Sequence, residues 1–476
     1  MGIKKEKLIL ILILIFAFLL RLVNLNQSLW LDEGINVLAV KNYSLIALIT
    51  EYAKADFHPP LHFMILWVWG KIFQYSEIYM RLPSVIFGVA TVYFTYLIGK
   101  KLDSVKLGLL AALILAINPL HIYYSQEARM YSLAAFAAVL NVYCFIKLIR
   151  REKYSSLCFF LSLILLLGTD YLTYFLIPTQ FIILLLLKEF NILKRWLILS
   201  TLGFLAWIWW LPIFTEQIQL GLSTASNVSG WKDVVGGFGI KPLALTYIKF
   251  IIGRISHPDN LVYLLMFTPI GLLVGSLIFL SLKWKENKEK VILVSLTLLP
   301  ILLSWALSII IPIYSYFRML FVLPFFILSI GVGILQIKKK YQIATIVLVC
   351  LSQIVCTFIY FLNPMFQRED WKGLASFLKE KNKVVVLEST GSFSPFEYYS
   401  SGDVKTEKGL INFPAQKMSD ISDLNMLDDK VYLLEYLVGI SDPNRLVQQR
   451  LHELGYKESN SYNFNGVGLL YEYTKQ

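Results

Sequence analysis

The sequence predicts an all-α membrane protein that crosses the bilayer many times and carries a small α/β domain at its C-terminus. Hydrophobic residues make up 57% of the 476 residues and charged residues only 16%, against roughly 25% charged residues in soluble domains. Lysines and arginines cluster in short loops between long apolar runs, the pattern of a polytopic protein. The net charge of +12 therefore belongs to loops at a bilayer, and we expect no nucleic-acid partner.

The apolar runs define the predicted spans. The first extends from Leu8 to Leu20 behind three lysines, and no small-residue cleavage site follows it, so we predict an uncleaved helix. Ten further runs have spanning length, at residues 82–99, 107–123, 131–149, 155–169, 174–187, 196–214, 261–282, 291–311, 318–337 and 341–362. About 11 transmembrane helices are thus expected within a membrane domain at residues 1–363.

The basic loops predict the orientation. If these loops face the cytoplasm, the N-terminus is cytoplasmic as well. The apolar stretch Leu61–Phe73 is only about 13 residues long, which is short for a span. Counting it as a crossing would reverse every later loop, so we predict a juxtamembrane helix at the outer face. The long polar loops and residues 364–476 then lie outside the cytoplasm.

The tail at 364–476 differs from the rest because charged residues are frequent and no run is long enough to span. Helix and strand signals alternate along it, which predicts an extracytoplasmic α/β domain. The expected elements are a helix over Asp370–Lys381, a strand over Val384–Leu387, a helix starting at Ser394, a strand over Val431–Leu437, a helix from Asp442 to Gly455 and a strand over Val467–Tyr473.

An acidic pair, Asp32-Glu33, follows the first span within the sequence Trp-Leu-Asp-Glu-Gly. Two carboxylates at a membrane surface are costly to desolvate. They suit a catalytic pair, in which one acts as a base while the other orients a substrate or raises its neighbour's pKa. The alternative is structural: both residues also suit the first turn of a helix from about Gly34.

A second group lies in Asp56-Phe-His58-Pro-Pro60-Leu-His. Two prolines cannot occupy a helix interior, but Pro60 suits a first turn, so a rigid elbow precedes the juxtamembrane helix. The elbow fixes Asp56 and His58 at the outer face, as expected for a binding pocket. A plain helix start with polar caps is the alternative, which explains the prolines but not the paired Asp and His.

A third group follows the 107–123 run and concentrates hydroxyls, an amide, an acid and a base. An interfacial aromatic belt with an internal Glu–Arg pair accounts for the tyrosines. It does not require the additional amide and acid, which favours a functional site. The candidates are Tyr124, Gln126, Glu127, Arg129 and Tyr131.

Two arginines, Arg81 and Arg318, lie at the predicted outer ends of spans. Snorkelling explains any single arginine at this depth. An arginine there also suits a phosphate, because its planar fork binds oxyanions through two bonds. The sequence has no glycine-rich phosphate loop and no paired-histidine zinc motif, and its four cysteines lie within apolar runs. A phosphate-bearing substrate that resides in the membrane requires none of these features.

These motifs resemble those of the GT-C glycosyltransferases, in the family 39-like branch of the protein O-mannosyltransferases and the aminoarabinose transferase of lipid A. Asp32-Glu33 is similar to the acidic motif of the first outer loop, and Asp56-Phe-His58-Pro-Pro-Leu to an Asp-x-His-Pro-Pro-Leu element. The segment from Tyr124 to Tyr131 and the tail motif Arg-Glu-Asp-Trp at 368–371 are similar to elements of prokaryotic relatives.

The resemblance implies an inverting glycosyltransferase that takes a sugar from a polyprenyl-phosphate donor to an acceptor hydroxyl on the extracytoplasmic face. Asp32 is then the expected base, and Glu33 and Glu127 position hydroxyl groups. Arg81, Arg129 or Arg318 neutralise the phosphate that leaves. Asp56 and His58 shape the pocket, together with Tyr124, Gln126 and Tyr131.

The resemblance leaves the acceptor open among lipid, glycan and protein, although the short 215–260 loop argues against a protein. It implies no organic cofactor and leaves metal dependence open, with His58 and nearby carboxylates as candidate ligands of a divalent ion. Two other classes of function remain: a transporter or flippase of lipid-linked sugars, and a non-catalytic membrane scaffold. Charge-free span interiors count against the transporter, and one-sided clustering of acids and arginines against the scaffold.

Overall fold

The structure, a computed structural model, describes residues 2–227, 236–285, 287–425 and 427–476. The chain divides into two units. The first comprises Met1–Leu25, Ser44–Gly221 and Val235–Leu362. The two main pieces of the second are Asn26–Tyr43 and Asn363–Gln476. The loop that carries Asp32-Glu33 thus clusters with the tail, although it lies within the region 1–363 that the sequence assigns to the membrane domain.

The first unit consists of helices, because almost every predicted span is a continuous or once-broken apolar run. Its longer helices are Ile3–Leu22, Leu61–Phe73, Glu77–Leu102, Val105–Ala116, Pro119–Ser125, Tyr131–Ile149, Ser155–Leu167, Leu176–Leu186, Phe190–Ala206, Leu211–Asn227, Ile240–Ile252, Asn260–Ser281, Asn287–Leu307, Leu323–Gln336 and Lys339–Leu362. Each of the eleven predicted runs falls mainly on helix, and the short helix predicted over 61–73 is confirmed at its bounds.

Among the described residues, five helices are long and apolar enough to cross a membrane, and seven spans result if each of two bent pairs counts as one. Four further apolar helices are shorter, including Leu61–Phe73. Exposed leucines, isoleucines and phenylalanines cover many helices of this unit, for example Leu12 and Ile15 on Ile3–Leu22. Such a surface suits lipid rather than water. The protein is a membrane protein, and the number of 11 spans stays a prediction.

One bent pair places a predicted site segment. Val105–Ala116 and Pro119–Ser125 meet at 65°. The break has a local cause, because Pro119 lacks an N–H and Asn118 caps the new helix by accepting a hydrogen bond from the His121 amide at 3.0 Å. Gly88 lets the second helix approach closely, since a Cβ there would lie 2.3 Å from Ser125 Oγ.

The tail of the second unit folds around a five-stranded sheet of order β2-β1-β3-β5-β4. Its strands are β1 Val385–Leu387, β2 Thr406–Lys408, β3 Lys430–Glu435, β4 Tyr456–Phe464 and β5 Gly468–Lys475. β1 runs parallel to β2 and β3, whereas β5 is antiparallel to β3 and β4. The predicted strands at 384–387, 431–437 and 467–473 are confirmed, and β2 and β4 are additional.

Alternation along the strands builds a core on each face of the sheet. Val385 and Leu387 join one cluster with Trp371, and Val386 joins the other with Leu451. The tail helices are Trp371–Lys381, Ser394–Ser400 and Leu446–Glu453, which confirms the three predicted helices. Leu31 packs against the Trp371 cluster, so the helix Leu31–Asn42 is part of this unit's structure.

Candidate functional site

Two of the predicted motifs meet in the first unit. Arg129 Nη1 lies 3.6 Å from Asp56 Oδ2, and the His62 ring contacts the Ala128 carbonyl oxygen through Nε2 at 3.2 Å. Arg129 and His62 are both buried. Residues more than sixty positions apart thus form one polar cluster, which we call the Asp56–Arg129 cluster and define as Asp56, His58, His62 and Arg129.

Asp56 is the charged centre of this cluster. His58 Nδ1 lies 2.5 Å from Asp56 Oδ1, so one carboxylate oxygen faces the imidazole and the other faces the guanidinium. Burial alone would raise the pKa of Asp56, but the charges of His58 and Arg129 and the hydrogen bond from His58 lower that pKa to about 2. Asp56 is therefore a fixed anion and a weak base.

The backbone of the Asp56 loop is clamped by Gln217. Gln217 Nε2 donates to the carbonyl oxygens of Ala53, at 2.5 Å, and of Asp56. Gln217 Oε1 accepts a hydrogen bond from Tyr171, whose hydroxyl oxygen in turn accepts one from Trp210 Nε1. Sequence analysis missed this chain of bonds, because nothing in the sequence connects an isolated glutamine at 217 to a loop more than 150 residues earlier.

Gln126 and Glu127 occupy the turn after the 119–125 helix and are both buried. Gln126 Nε2 donates to the Arg21 carbonyl at 3.1 Å and to the Val23 carbonyl at 2.5 Å, and its Oε1 accepts from Tyr360 at 2.8 Å. Every polar atom of Gln126 thus binds protein, as expected for a residue that ties helix ends together. Glu127 is fully buried and lies near Tyr124, one of the tyrosines predicted to bind the substrate.

Tyr124 and Tyr131 form an aromatic cluster with Phe317. Tyr124 meets Tyr131 edge to face at 5.0 Å, and the Tyr131 and Phe317 ring centroids lie 5.7 Å apart. Arg318 follows directly, with its guanidinium 5.9 Å from the Phe317 ring and Nη1 bonded to the Ile313 carbonyl at 3.2 Å. Among the described residues, the buried Arg318 Nε has no hydrogen-bond partner, so this donor group is unsatisfied within the described part of the chain.

Arg81 is buried and donates to the Leu25 carbonyl at 2.9 Å, so it does not snorkel towards water. A fully buried arginine that sequence analysis did not propose is Arg21, at the end of the first helix. It binds the Ala17 and Ala116 carbonyls and His121 Nδ1, the last at 2.6 Å. Such bonds offset part of the cost of burying a guanidinium. The sequence signal that could have identified Arg21 is a charged residue directly after an apolar run.

Asp32 and Glu33 lie in the second unit, in the first turn of the helix Leu31–Asn42. Glu33 is completely buried, and its Oε2 accepts from the Trp30 amide at 3.4 Å, which caps the helix. Asp32 is partly exposed. Glu33 therefore fits the alternative of a residue that serves the first turn of a helix. Asp32 is less buried than Glu33, so its side chain is partly accessible from outside the protein.

Metal binding finds no ready site. Within the described parts of the chain, no group of three or more His, Cys, Asp or Glu side chains is arranged to hold a metal ion. His58 has Asp56 as its close acidic partner, and two protein ligands are fewer than a zinc site uses. We therefore derive no step through a metal.

The fold defines the class: the chain is a membrane protein of the GT-C type, which confirms the resemblance in the motifs. Its structure is similar over 99% of this chain and 98% of the other to ArnT from Cupriavidus metallidurans bound to undecaprenyl phosphate, with a TM-score of 0.59 and 9% identity. It is also similar to the Archaeoglobus fulgidus oligosaccharyltransferase, over 97% of this chain and 72% of the other, with a TM-score of 0.56 and 13% identity.

A sequence comparison points within this class. Residues 57–214 match the family model of dolichyl-phosphate-mannose-protein mannosyltransferases. The matched region includes His58, His62 and Arg129 of the polar cluster. The archaeal oligosaccharyltransferase AglB from Archaeoglobus fulgidus, in complex with an inhibitory peptide and a dolichol-phosphate, is similar with a TM-score of 0.51 and 13% identity, over 99% of this chain and 74% of the other. No curated protein sequence matches the chain.

Proposed function

We propose that the protein transfers a sugar from a polyprenyl-phosphate donor to an acceptor hydroxyl on the extracytoplasmic side of the membrane, with inversion at the anomeric carbon. The observation that carries the proposal is the Asp56–Arg129 cluster, in which two motifs typical of such transferases come together in buried contact. The family match over 57–214 supports it. So does the likeness of the fold to two proteins solved with undecaprenyl phosphate or dolichol-phosphate.

Asp32 serves as the base. An efficient general base has a pKa near the working pH, which disfavours Asp56, since its pKa is about 2. Glu33 is buried and caps its helix. Asp32 is the partly exposed member of the pair, so it takes the proton as the acceptor oxygen bonds to the anomeric carbon.

The bond that breaks joins the anomeric carbon to a phosphate oxygen, and polyprenyl phosphate leaves with the electron pair. This leaving group requires charge neutralisation more than it requires a proton. Arg318 suits that role, because its Nε has no partner among the described residues and its guanidinium lies 5.9 Å from the Phe317 ring. Arg129 is paired with Asp56 and Arg81 with a carbonyl, so both chiefly hold the pocket in shape.

The test is release of polyprenyl phosphate from a set of polyprenyl-phosphate sugars by detergent-purified protein, with a crude membrane extract as acceptor. Wild type and Asp32→Asn are compared, and Glu216→Gln is the matched control, because Glu216 lies in an exposed salt bridge with Lys54. We expect release from wild type and the control and loss of release from Asp32→Asn. A flippase has nothing to transport without a sealed bilayer, so it would release no polyprenyl phosphate from any donor.

The orientation is proposed from the basic loops: the N-terminus is cytoplasmic, and the site and tail are extracytoplasmic. Single cysteines in a cysteine-free background test it, at Ser459→Cys in β4 of the tail and at Lys153→Cys in a basic loop. Both positions are exposed. A membrane-impermeant maleimide applied to intact cells should label the first and spare the second until the cells are opened. The reverse pattern would invert the proposed topology.

A further inference from the structure

The tail motif Arg-Glu-Asp-Trp holds the strip of chain that carries Asp32. Glu369 Oε2 accepts a hydrogen bond from the Leu31 amide at 3.0 Å and from Trp371 Nε1 at 2.7 Å. Its Oε1 accepts one from the Tyr436 hydroxyl at 3.0 Å. One carboxylate thus joins the sheet region of the tail to the residue directly before Asp32, at the first position of the helix Leu31–Asn42.

Neighbours of Glu369 bind the same strip. The Arg368 amide donates to Gln27 Oε1 at 3.0 Å, and the Lys372 amide donates to Ser28 Oγ at 3.2 Å. The Leu29 amide donates to the Tyr399 hydroxyl at 2.8 Å. The side chains of Gln27 and Ser28 and the backbone amides of Leu29 and Leu31 therefore find partners in the tail, and the Leu31 bond is the one nearest to the acidic pair.

Close packing fixes the other side of the helix. A Cβ on Gly34 would lie 2.6 Å from the backbone nitrogen of Pro395, at the start of the helix Ser394–Ser400. Such a contact leaves no room for the helix to shift towards the tail. The hydrogen bond at Leu31 and the contact at Gly34 bracket Asp32 within one helical turn.

We propose that Glu369 is a positioning residue for the base: its carboxylate holds the Leu31 amide and thereby fixes the direction in which Asp32 points. The inference rests on the proposed function, because it assigns a role in the same transfer reaction. It gives the tail a task in catalysis that the transmembrane motifs do not reveal, and it explains why an acid and a tryptophan stand two residues apart at the entrance to the tail.

The electrostatics agree with this geometry. Burial raises the pKa of Glu369, the hydrogen bonds from Trp371, Tyr436 and Leu31 lower it, and the negative charge of Asp32 raises it again. A carboxylate placed near a like charge is unfavourable in itself. Three donors that converge on it compensate for that cost, which suits a residue whose task is to hold rather than to titrate.

A glutamine at position 369 separates the effect of the three hydrogen bonds from the effect of the negative charge. Its amide oxygen can accept from the Leu31 amide and from Trp371, while its NH₂ group donates to the Tyr436 oxygen. Glu369→Gln therefore keeps the three contacts and removes the charge, whereas Glu369→Ala removes all of them. Glu472→Ala is the matched control. Glu472 is a buried acid in β5 of the tail, and its carboxylate binds Tyr432 at 3.0 Å and Lys430 at 2.8 Å.

The experiment measures kcat and donor KM for release of polyprenyl phosphate, and amide hydrogen exchange of residues 27–36, on full-length protein. For Glu369→Ala we expect kcat to fall about tenfold to a hundredfold at unchanged donor KM, as for a misaligned catalytic group, with faster exchange at 27–36. Glu369→Gln should keep kcat within about threefold of wild type. Glu472→Ala should lower the melting temperature and leave kcat and exchange at 27–36 unchanged.

Other outcomes overturn the inference. Unchanged kcat and exchange in Glu369→Ala, equal loss of kcat in Glu369→Ala and Glu369→Gln, or the same loss in Glu472→Ala would each exclude positioning by these bonds. Failure of the proposed function is recognised separately, because wild type itself would then release no polyprenyl phosphate. In that case faster exchange in Glu369→Ala would mark an intact contact without a catalytic role, and the inference would fall with the function.

Discussion

The two acid-bearing segments that contain Asp32 and Asp56 are held by different forces. Asp56, in the first unit, lies between a histidine and an arginine and is fixed by charge. Asp32, in the second unit, follows a backbone amide that a neighbouring carboxylate holds, and its own side chain stays partly exposed. A charge pair fixes an anion and makes it a weak base, whereas anchoring through the backbone does not neutralise the charge of the side chain.

The comparison shows how one stretch of chain can give a structural role to one acid, Asp56, and a chemical role to another, Asp32. A carboxylate saturated by cations holds a pocket together but has little affinity for a proton. A carboxylate that its backbone positions can exchange a proton with a substrate and still point in a fixed direction. The following predictions test that division, beginning with the largest effect.

Asp32→Asn should abolish most turnover without unfolding the protein. General base catalysis contributes about 10²- to 10⁴-fold, so kcat should fall by that factor. The melting temperature should stay near that of wild type, since asparagine keeps the shape of a partly exposed side chain. Single-turnover release and thermal unfolding of one preparation measure both. A large fall in melting temperature with activity retained would exchange the roles assigned to Asp32 and Asp56.

Asp56→Asn should do the opposite and act mainly on stability. Removing one partner of a buried ion pair costs about 3–5 kcal/mol, because Arg129 loses its counter-charge. The pKa of Asp56 is lowered from 3.8 to about 2, so its stabilisation is complete above about pH 4 and is lost as pH falls towards 2. Wild type should therefore lose stability over that range more steeply than Asp56→Asn.

The exposed pair of Lys54 and Glu216 provides the contrast. Its atoms lie 3.1 Å apart, but both side chains are nearly half exposed. Glu216→Gln should change the free energy of unfolding by less than about 1 kcal/mol. Equal destabilisation by Asp56→Asn and Glu216→Gln would refute the view that burial gives the Asp56 contacts their strength.

Glu388, directly after β1 in the tail, sharpens the comparison as a buried acid that forms no salt bridge with any other described residue. Neither carboxylate oxygen has a hydrogen-bond partner among the described residues. Burial and the nearby acids Glu435 and Asp442 raise the pKa of Glu388 to about 9. It is thus protonated in the folded tail at neutral pH, opposite to Asp56.

Glu388→Gln should stabilise the tail, and the gain should grow with pH. The unfolded carboxyl ionises above about pH 4.5 while the folded one does not, so wild type loses up to about 1.4 kcal/mol per pH unit until about pH 9. Hydrogen exchange in β1 and β3 of the full-length protein at pH 5, 7 and 8.5 measures the difference. A constant difference across pH would mean that Glu388 is ionised when folded.

Tyr399→Phe should have a smaller effect on kcat than Glu369→Ala. It removes the acceptor of the Leu29 amide, which lies at 2.8 Å beside a fully buried side chain. An unsatisfied buried amide costs about 1–3 kcal/mol. Exchange at Leu29 should accelerate while kcat falls only a fewfold, since the Leu31 anchor remains. A kcat loss as large as that of Glu369→Ala would extend the positioning role to the whole strip.

Much of this architecture follows from the sequence because apolar runs and alternation act locally. The helix at 61–73 and the strand at 385–387 are examples. β4 and β2 escaped prediction for a physical reason: the residues of Tyr456–Phe464 are mostly exposed and polar, and all three residues of β2 are exposed. Without an apolar face, such strands carry no periodic signal and depend on pairing with partners distant in the chain.

Short motifs predict Asp32, Asp56 and Arg129 as site residues, because they cluster unusual polar residues beside apolar runs, and this assignment stays a prediction. The contacts that hold these residues could not be predicted. The bond from Gln217 to the Asp56 loop and the Glu369 anchor link residues 161 and 338 positions apart. Such pairings arise from helix packing and domain folding, which no local pattern encodes.

The discontinuous second unit has a consequence for biosynthesis. The helix Leu31–Asn42 is among the first segments to leave the ribosome, yet its anchor at Glu369 is made 338 residues later. Until then the acidic helix lacks its permanent neighbours and must persist through the insertion of every intervening span. The newborn protein therefore becomes competent only when its last hundred residues have folded, so a prematurely terminated chain that inserts normally would remain catalytically silent.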